Sequence, residues 1–211
     1  LDYTATTFNG KAPEASIRFC KAFQLNRGAD RLSVQFADDI TGAKSDAGCR
    51  RIARDLEDHD AALVDGQAQA LKQGGRKAVF YPFIMMEQVA GNTLPDPWSG
   101  ADGQPVMPWR GRITTSVAPG REGTTDGTAS AVAQVAAFFG NAGPDDFRRQ
   151  GGQVIYDGPD EWSYRRFILH YAHLCAEAGG IDSFLIGSEM IGLTQIRGPG
   201  NSFPAVAQLR R

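Results

Sequence analysis

The apolar and polar positions of this chain sort into two strand-like apolar runs, one alternating run and several helical stripes. The run Lys77-Ala78-Val79-Phe80-Tyr81-Pro82-Phe83-Ile84-Met85-Met86 is apolar on both faces, as parallel strands buried under helices are. Pro82 cannot donate to a ladder, so hydrogen bonding is expected to end near Tyr81, with Phe83 to Met86 rising from the C-terminal edge of the sheet. Glu87 follows at once. The second run, Asp182 to Met190, stops at the small pair Gly187-Ser188 and delivers one carboxylate, Glu189, where a strand would leave its sheet. Leu32-Ser33-Val34-Gln35-Phe36 alternates with period 2, predicting a half-buried strand that ends at the turn acids Asp38-Asp39.

Helical spacing fills the intervals. Ser45 to Gln73 reads as helix, with Ile52 and Leu56 one turn apart, then Leu63, Gln67, Ala70 and Leu71, a break near His59-Asp60 and a stop at Gly74-Gly75. Thr124 or Thr125 is the expected cap of a helix with Val132, Val135, Ala136 and Phe139 on one face, closed by Gly140. Gln153-Val154-Ile155-Tyr156 fits a short strand. Gly158-Pro159-Asp160-Glu161 is expected to open a further helix, with Tyr164, Phe167, Ile168, Tyr171, Leu174, Cys175 and Ala178 as its stripe and Gly179-Gly180 as its end. Residues 191–200 read as loop, and Pro204 begins one more helix. Strand, long loop, helix, helix and strand form a β-α progression, which predicts parallel pairing with a right-handed crossover. Residues 1–31 show no chemistry.

Composition narrows the function classes. The chain has 211 residues and a formal net charge of -2, which gives no electrostatic reason to expect nucleic acid or an anionic membrane. No run reaches the roughly 18 apolar residues of a membrane span. The start, Leu1-Asp2-Tyr3-Thr4, has neither initiator Met nor a signal pattern, so the native N-terminus is expected upstream. Cys20, Cys49 and Cys175 are an odd, widely spaced set without C-x-x-C, which predicts free thiols and neither a disulfide framework nor a zinc site.

Candidate chemistry centres on Glu189. In a barrel of parallel strands the C-terminal strand ends share a crevice, so a carboxylate there faces substrate. Its neighbours Ile186, Met190 and Ile191 are expected to disfavour the ionised form and so to suit it to general-acid work. The stretch from Gln88 to Gly123 is rich in Gly and Pro and carries Trp98, Trp109, Arg110 and Arg112. Indole faces and guanidinium forks suit sugar rings and their hydroxyls, and the same groups can instead pin a long loop to the body. His170, His173 and Glu177 share one helix face at one-turn spacings that fit either a metal or a plain polar surface.

Two segments carry a family resemblance. The first is Tyr81-Pro82-Phe83-Ile84-Met85-Met86 with Gly91-Asn92-Thr93-Leu94-Pro95-Asp96-Pro97 and Pro108-Trp109-Arg110-Gly111-Arg112-Ile113-Thr114. The second runs from Ala133 to Gly140, then from Glu161-Trp162-Ser163-Tyr164 to Ile186-Gly187-Ser188-Glu189. Together they resemble the glycoside-hydrolase TIM-barrel-like domain of gene transfer agent and phage tail proteins, over about residues 60 to 211. The resemblance implies an α/β, TIM (β/α)8-barrel-like fold, present as a partial barrel of about the first half in residues 59–211, with residues 1–58 unassigned. It implies synthesis in the bacterial cytoplasm and assembly with other tail proteins into a phage-like particle that acts on, or binds, cell-envelope polysaccharide. No cofactor or metal is implied.

More distantly, Trp109-Arg110-Gly111 and Ile186-Gly187-Ser188-Glu189 are similar to segments of mannanase-like TIM-barrel glycoside hydrolases. That similarity places the acid/base on Glu189. Glu87, close to a strand edge, is the candidate second carboxylate that this chain can supply, and Trp98, Trp109, Arg110, Arg112, Tyr81 and Ser188 are the candidate substrate contacts. Many such enzymes have Asn where this chain has Ser188, and their nucleophile would fall beyond Arg211. A retaining mechanism needs its two carboxyls about 5 Å apart. A partial barrel leaves an open apolar strand edge, so self-association of the isolated chain is expected.

Overall fold

The computed structural model describes residues 19–27 and 30–38 as backbone, and residues 68–75, 77–82, 84, 91–106 and 108–211 in full. Among these, β1 (Phe19–Arg27) and β2 (Asp30–Asp38) form an antiparallel pair in which Leu25 faces Leu32 and Phe19 faces Asp38. The alternation at Leu32 to Phe36 thus belongs to a longer strand, whose partner sequence reading did not find. The first helix, α1, is described over residues 68–73 and ends at the expected Gly74-Gly75, with Gly74 N–H donating to the Ala70 carbonyl. Its predicted earlier part, including Ile52 and Leu56, lies outside the described residues.

The two strong apolar runs meet as expected. β3 (Val79–Phe80) and β6 (Ser183–Phe184) pair in parallel, Val79 opposite Ser183 and Phe80 opposite Phe184. The ladder is short at both ends for identifiable reasons. Ala78 N–H goes to the Asp182 carboxylate at 2.8 Å, and Leu185 N–H to the Phe80 carbonyl at 2.9 Å. Two residues later Pro82 has no N–H to offer. Phe80 stacks on Tyr171 and on Phe184 with ring centroids 5.4 Å apart in each case.

Between these strands, β4 (Phe147–Gln150) and β5 (Gln153–Tyr156) form a hairpin. Its turn is Gly151-Gly152, with φ of 63° and 82°. Two successive positive φ values give the turn handedness that matches strand twist, and glycine takes them without strain. Only the second strand of this hairpin is evident from its sequence, because Phe147-Arg148-Arg149-Gln150 has one apolar residue.

The helices pack across the strand pair. α2 (Ala129–Phe139) starts later than expected, at the cap Thr128, whose hydroxyl accepts from Ser130 and Ala131 N–H. Thr125 is held in the preceding turn, where its carbonyl takes the Thr128 N–H. Its buried face is Ala131, Val135, Phe138 and Phe139, and Val132 is exposed. Gly140 closes it at φ 72°, ψ -166°, a backbone region reserved to glycine.

α3 (Tyr164–Glu177) likewise begins later than expected, at Ser163. Glu161, expected in its first turn, instead accepts N–H groups of Asn141 and Ala142 and the Ser163 hydroxyl. Arg166 lies between the rings of Tyr156 and Trp162, at 4.2 and 3.8 Å from their centroids, and joins β5 to the start of α3. At the other end Lys72 donates to the Ala178 and Gly179 carbonyls, a cation placed where the helix dipole is negative.

The segment after Glu189 is helical where a loop was expected: α4 (Ile191–Thr194) is one turn, with Leu193 fully buried. α5 (Pro204–Leu209) follows, with Pro204 in its first turn. The core gathers Phe80, Ile84, Ile113, the α2 and α3 stripes, Leu193 and Ile196. Each such side chain contributes about 1.5–3 kcal/mol by leaving water. The described residues do not close a barrel.

Candidate functional site

Glu189 sits where β6 leaves the sheet and turns into α4. Just before it, the buried hydroxyl of Tyr164 donates to the Ile186 carbonyl at 2.7 Å. Burial pushes the Tyr164 phenol above its ordinary range, which keeps it a neutral donor. The chain passes so close that a Cβ on Gly187 would lie 2.9 Å from that hydroxyl and 2.8 Å from Met190 Cε. Glu189 then takes φ 55°, one of two non-glycine residues with positive φ among those described. Such a conformation costs of order 1–3 kcal/mol, and it aims the side chain away from the core into which Met190 turns.

The long loop supplies the partners. Asp96, 6% exposed, receives N–H groups of Trp98 and Ser99 and two contacts from Arg112 Nη2, at 3.0 and 2.8 Å. Trp98 Nε1 donates to the Arg112 carbonyl at 2.7 Å, and Arg121 reaches the Trp98 carbonyl. Trp98 and Arg112 therefore fasten the loop to itself.

Trp109 and Arg110 meet the acid. Trp109 Nε1 donates to Glu189 Oε2 at 3.0 Å, and Arg110 Nη2 lies 2.7 Å from the same oxygen. The indole is flat on Gly111, where a Cβ would come within 2.4 Å of ring carbons, and Trp109 remains 51% exposed. The turn that carries both residues packs on α4: a Cβ at Gly192 would lie 2.5 Å from the Gly111 carbonyl oxygen and 2.8 Å from that of Ile113.

The expected desolvation of Glu189 is not found. Its side chain is 53% exposed. Ile186 and Ile191 are themselves 45% and 59% exposed, and only Met190 is buried. Exposure follows from the positive φ, which lifts the side chain off the apolar residues beside it in sequence.

The other candidates are dispersed. Tyr81 is half-buried close enough to Tyr164 to raise its pKa, and Ser188 is half-buried beside Glu189 in sequence. Glu87 and Asp39 lie outside the described residues, and Asp38 ends β2. His170 is buried edge-on to Tyr171. His173 stacks on Phe147 at 5.1 Å, and burial together with the nearby Arg149 charge lowers its pKa against a backbone hydrogen bond at Pro144. Glu177 accepts from Gly152 N–H and faces Arg149 at 3.9 Å. Among the described residues no group of three or more His, Cys, Asp or Glu is placed to hold a metal. Sequence reading missed Tyr164 and Gly111 as site residues. Tyr164 reads as one more member of an apolar stripe, and Gly111 as loop punctuation.

These features define a mixed helix-and-strand segment with a carboxylate a few residues past the end of a parallel strand. Residues 162–211 match the family model of the GTA TIM-barrel-like domain. The match takes in α3, β6 and Glu189, and the loop with Trp109 and Arg110 precedes it. No curated protein and no solved structure matches the chain. Among the described residues no helix is long and apolar enough to cross a membrane.

Proposed function

We propose that this chain is a glycoside-hydrolase-like module of a phage-tail or gene-transfer-agent tail protein, and that it engages cell-envelope polysaccharide at Glu189. The observation that carries the reading is the pairing of an exposed strand-end carboxylate with a half-bare indole held beside it. A pyranose presents an apolar C–H face to stack on such a ring and hydroxyls to meet a carboxylate. In the hydrolytic form Glu189 protonates the leaving glycosidic oxygen while a second carboxylate about 5 Å away bonds to the anomeric carbon, and Glu189 then, as a base, activates the water that displaces that carboxylate. Glu87 is the candidate for that second group within the chain. The match of residues 162–211 to a GTA TIM-barrel-like domain motivates the tail setting, and other tail proteins are the proposed partners.

A binding role without hydrolysis is the second reading. Trp109 donates a hydrogen bond to Glu189 and Arg110 forms an ion pair with it, an arrangement that suits a carboxylate accepting from sugar hydroxyls. Calorimetric titration with soluble peptidoglycan and lipopolysaccharide fragments, alongside an assay for new reducing ends, separates the two. Release abolished by Glu189→Gln supports hydrolysis. Binding without release supports the recognition module. Neither binding nor release removes the saccharide reading.

A further inference from the structure

A hydrogen-bond donor and a cation converge on one oxygen of Glu189. Trp109 Nε1 at 3.0 Å and Arg110 Nη2 at 2.7 Å both meet Oε2, and Oε1 accepts no hydrogen bond from the described residues. The parts that carry this triangle are fixed to each other. Gly192 has no room for a methyl group between α4 and the 110–112 turn, and the indole rests on Gly111. On the other side, Tyr164 and Gly187 hold the end of β6. The Glu189 side chain spans from the residue before the α4 cap to the indole N–H, and a side chain one methylene shorter is expected to fall short of it.

We propose that Trp109 and Arg110 are positioning residues that tether Oε2 and leave Oε1 as the atom Glu189 presents to its ligand. This rests on the reading of Glu189 as the ligand-facing carboxylate of a saccharide site, and it adds which oxygen works and why. Free rotation of a carboxylate about its last bond would exchange the two oxygens, and a hydrogen bond and an ion pair on the same oxygen oppose that exchange. The ligand group that meets Oε1 is then a hydroxyl, with the sugar ring on the open face of Trp109. The role differs from substrate gripping: the guanidinium and the indole N–H act through Glu189, and only the indole face touches the sugar.

The tether is tested first without ligand, through the indole N–H resonances of the protein's 3 tryptophans. Trp109→Phe assigns the Trp109 signal. Glu189→Asp keeps the charge and shortens the reach, and Gly111→Ala drives a methyl group into the Trp109 indole while leaving the Trp109 and Glu189 side chains unaltered in kind. Both are expected to move the Trp109 signal toward that of a free indole and to speed its exchange with solvent, while circular dichroism stays native. An unmoved signal in both variants overturns the tether.

The second arm uses the soluble peptidoglycan fragments. Trp109→Phe, which keeps a ring but loses the N–H, is expected to weaken binding at least about tenfold, the scale of one hydrogen bond to a charged group. Glu189→Asp is expected to lose as much. If Trp109→Phe and Glu189→Asp both bind as the parent does, the positioning role is overturned. If the parent protein binds no fragment, the saccharide reading fails and the tether is decided by the resonance shifts alone.

Discussion

Gly192→Ala sets two physical effects against each other. Glycine in a helix is less favourable than alanine by roughly 0.5–1 kcal/mol, so propensity alone predicts a gain. The surroundings oppose it. The added methyl carbon would lie 2.5 Å from the Gly111 carbonyl oxygen, 2.8 Å from that of Ile113 and 3.1 Å from Trp98 Cζ2. The two nearest atoms are main-chain oxygens, which cannot swing aside as the tip of a side chain does. Overpacking of this kind costs about 1–3 kcal/mol, so packing wins and the net loss is about 1–2 kcal/mol. At about 2–4 °C per kcal/mol for a chain of this size, the unfolding midpoint is expected to fall by about 2–8 °C. Thermal unfolding followed by circular dichroism at fixed protein concentration measures it. A midpoint equal to or above that of the parent would show that α4 does not bear on the 110–112 turn, and the tight seat of the Trp109 loop would have to be abandoned.

Other expectations are quickly checked. Leu193→Ala empties a fully buried position and is expected to cost about 2–5 kcal/mol in urea unfolding, with the slope unchanged. Asp126, whose side chain is 2% exposed, is clasped by Arg197. Burial raises its pKa, and the Arg197 hydrogen bonds and charge outweigh that, so it lies below the ordinary 3.8. A lowered folded-state pKa stabilises fully above the unfolded value and loses its effect as pH falls through the folded one. Asp126→Asn should therefore lower the unfolding midpoint at neutral pH, and the gap from the parent should close only below the ordinary 3.8. Burial pushes the Cys175 thiol up to about 12. Native protein at pH 8 is expected to leave Cys175 unalkylated by iodoacetamide, as read by peptide mass, and urea to expose it; labelling in the folded state would contradict its burial.

What sequence reading recovers is what local patterns encode. The parallel pairing of 79–80 with 183–184 follows from two runs apolar on both faces, and Gly140 and Gly179-Gly180 end their helices as glycines past a periodic stripe do. The helix starts are displaced because their caps compete for long-range partners. Asp126 is taken by Arg197 and Glu161 by Asn141 and Ala142, so neither sits in a first helical turn. The strands β1 and β4 escape notice because their residues do not alternate cleanly. At the site, Glu189 and Trp109 stand out by residue type, but the split of the loop into Trp98 and Arg112 inside and Trp109 and Arg110 at the acid is set by Asp96. That aspartate is 16 residues from its Arg112 partner in sequence, and no periodicity signals it. The exposure of Glu189 was equally hidden, since it depends on one positive φ.

Glu161 has a consequence for how the protein opens. Its carboxylate holds the N–H groups that follow α2, while the same oxygen Oε1 takes the Ser163 hydroxyl that caps Arg166 N–H in α3. The end of one helix and the start of the next thus share a single acceptor, although the hairpin β4–β5 separates them along the chain. Fraying at either terminus strands the other, so the two helices should unlock as one cooperative unit. In native-state hydrogen exchange the amides of Ala142 and Arg166 are expected to report a common opening free energy, and Glu161→Ala to let them exchange independently.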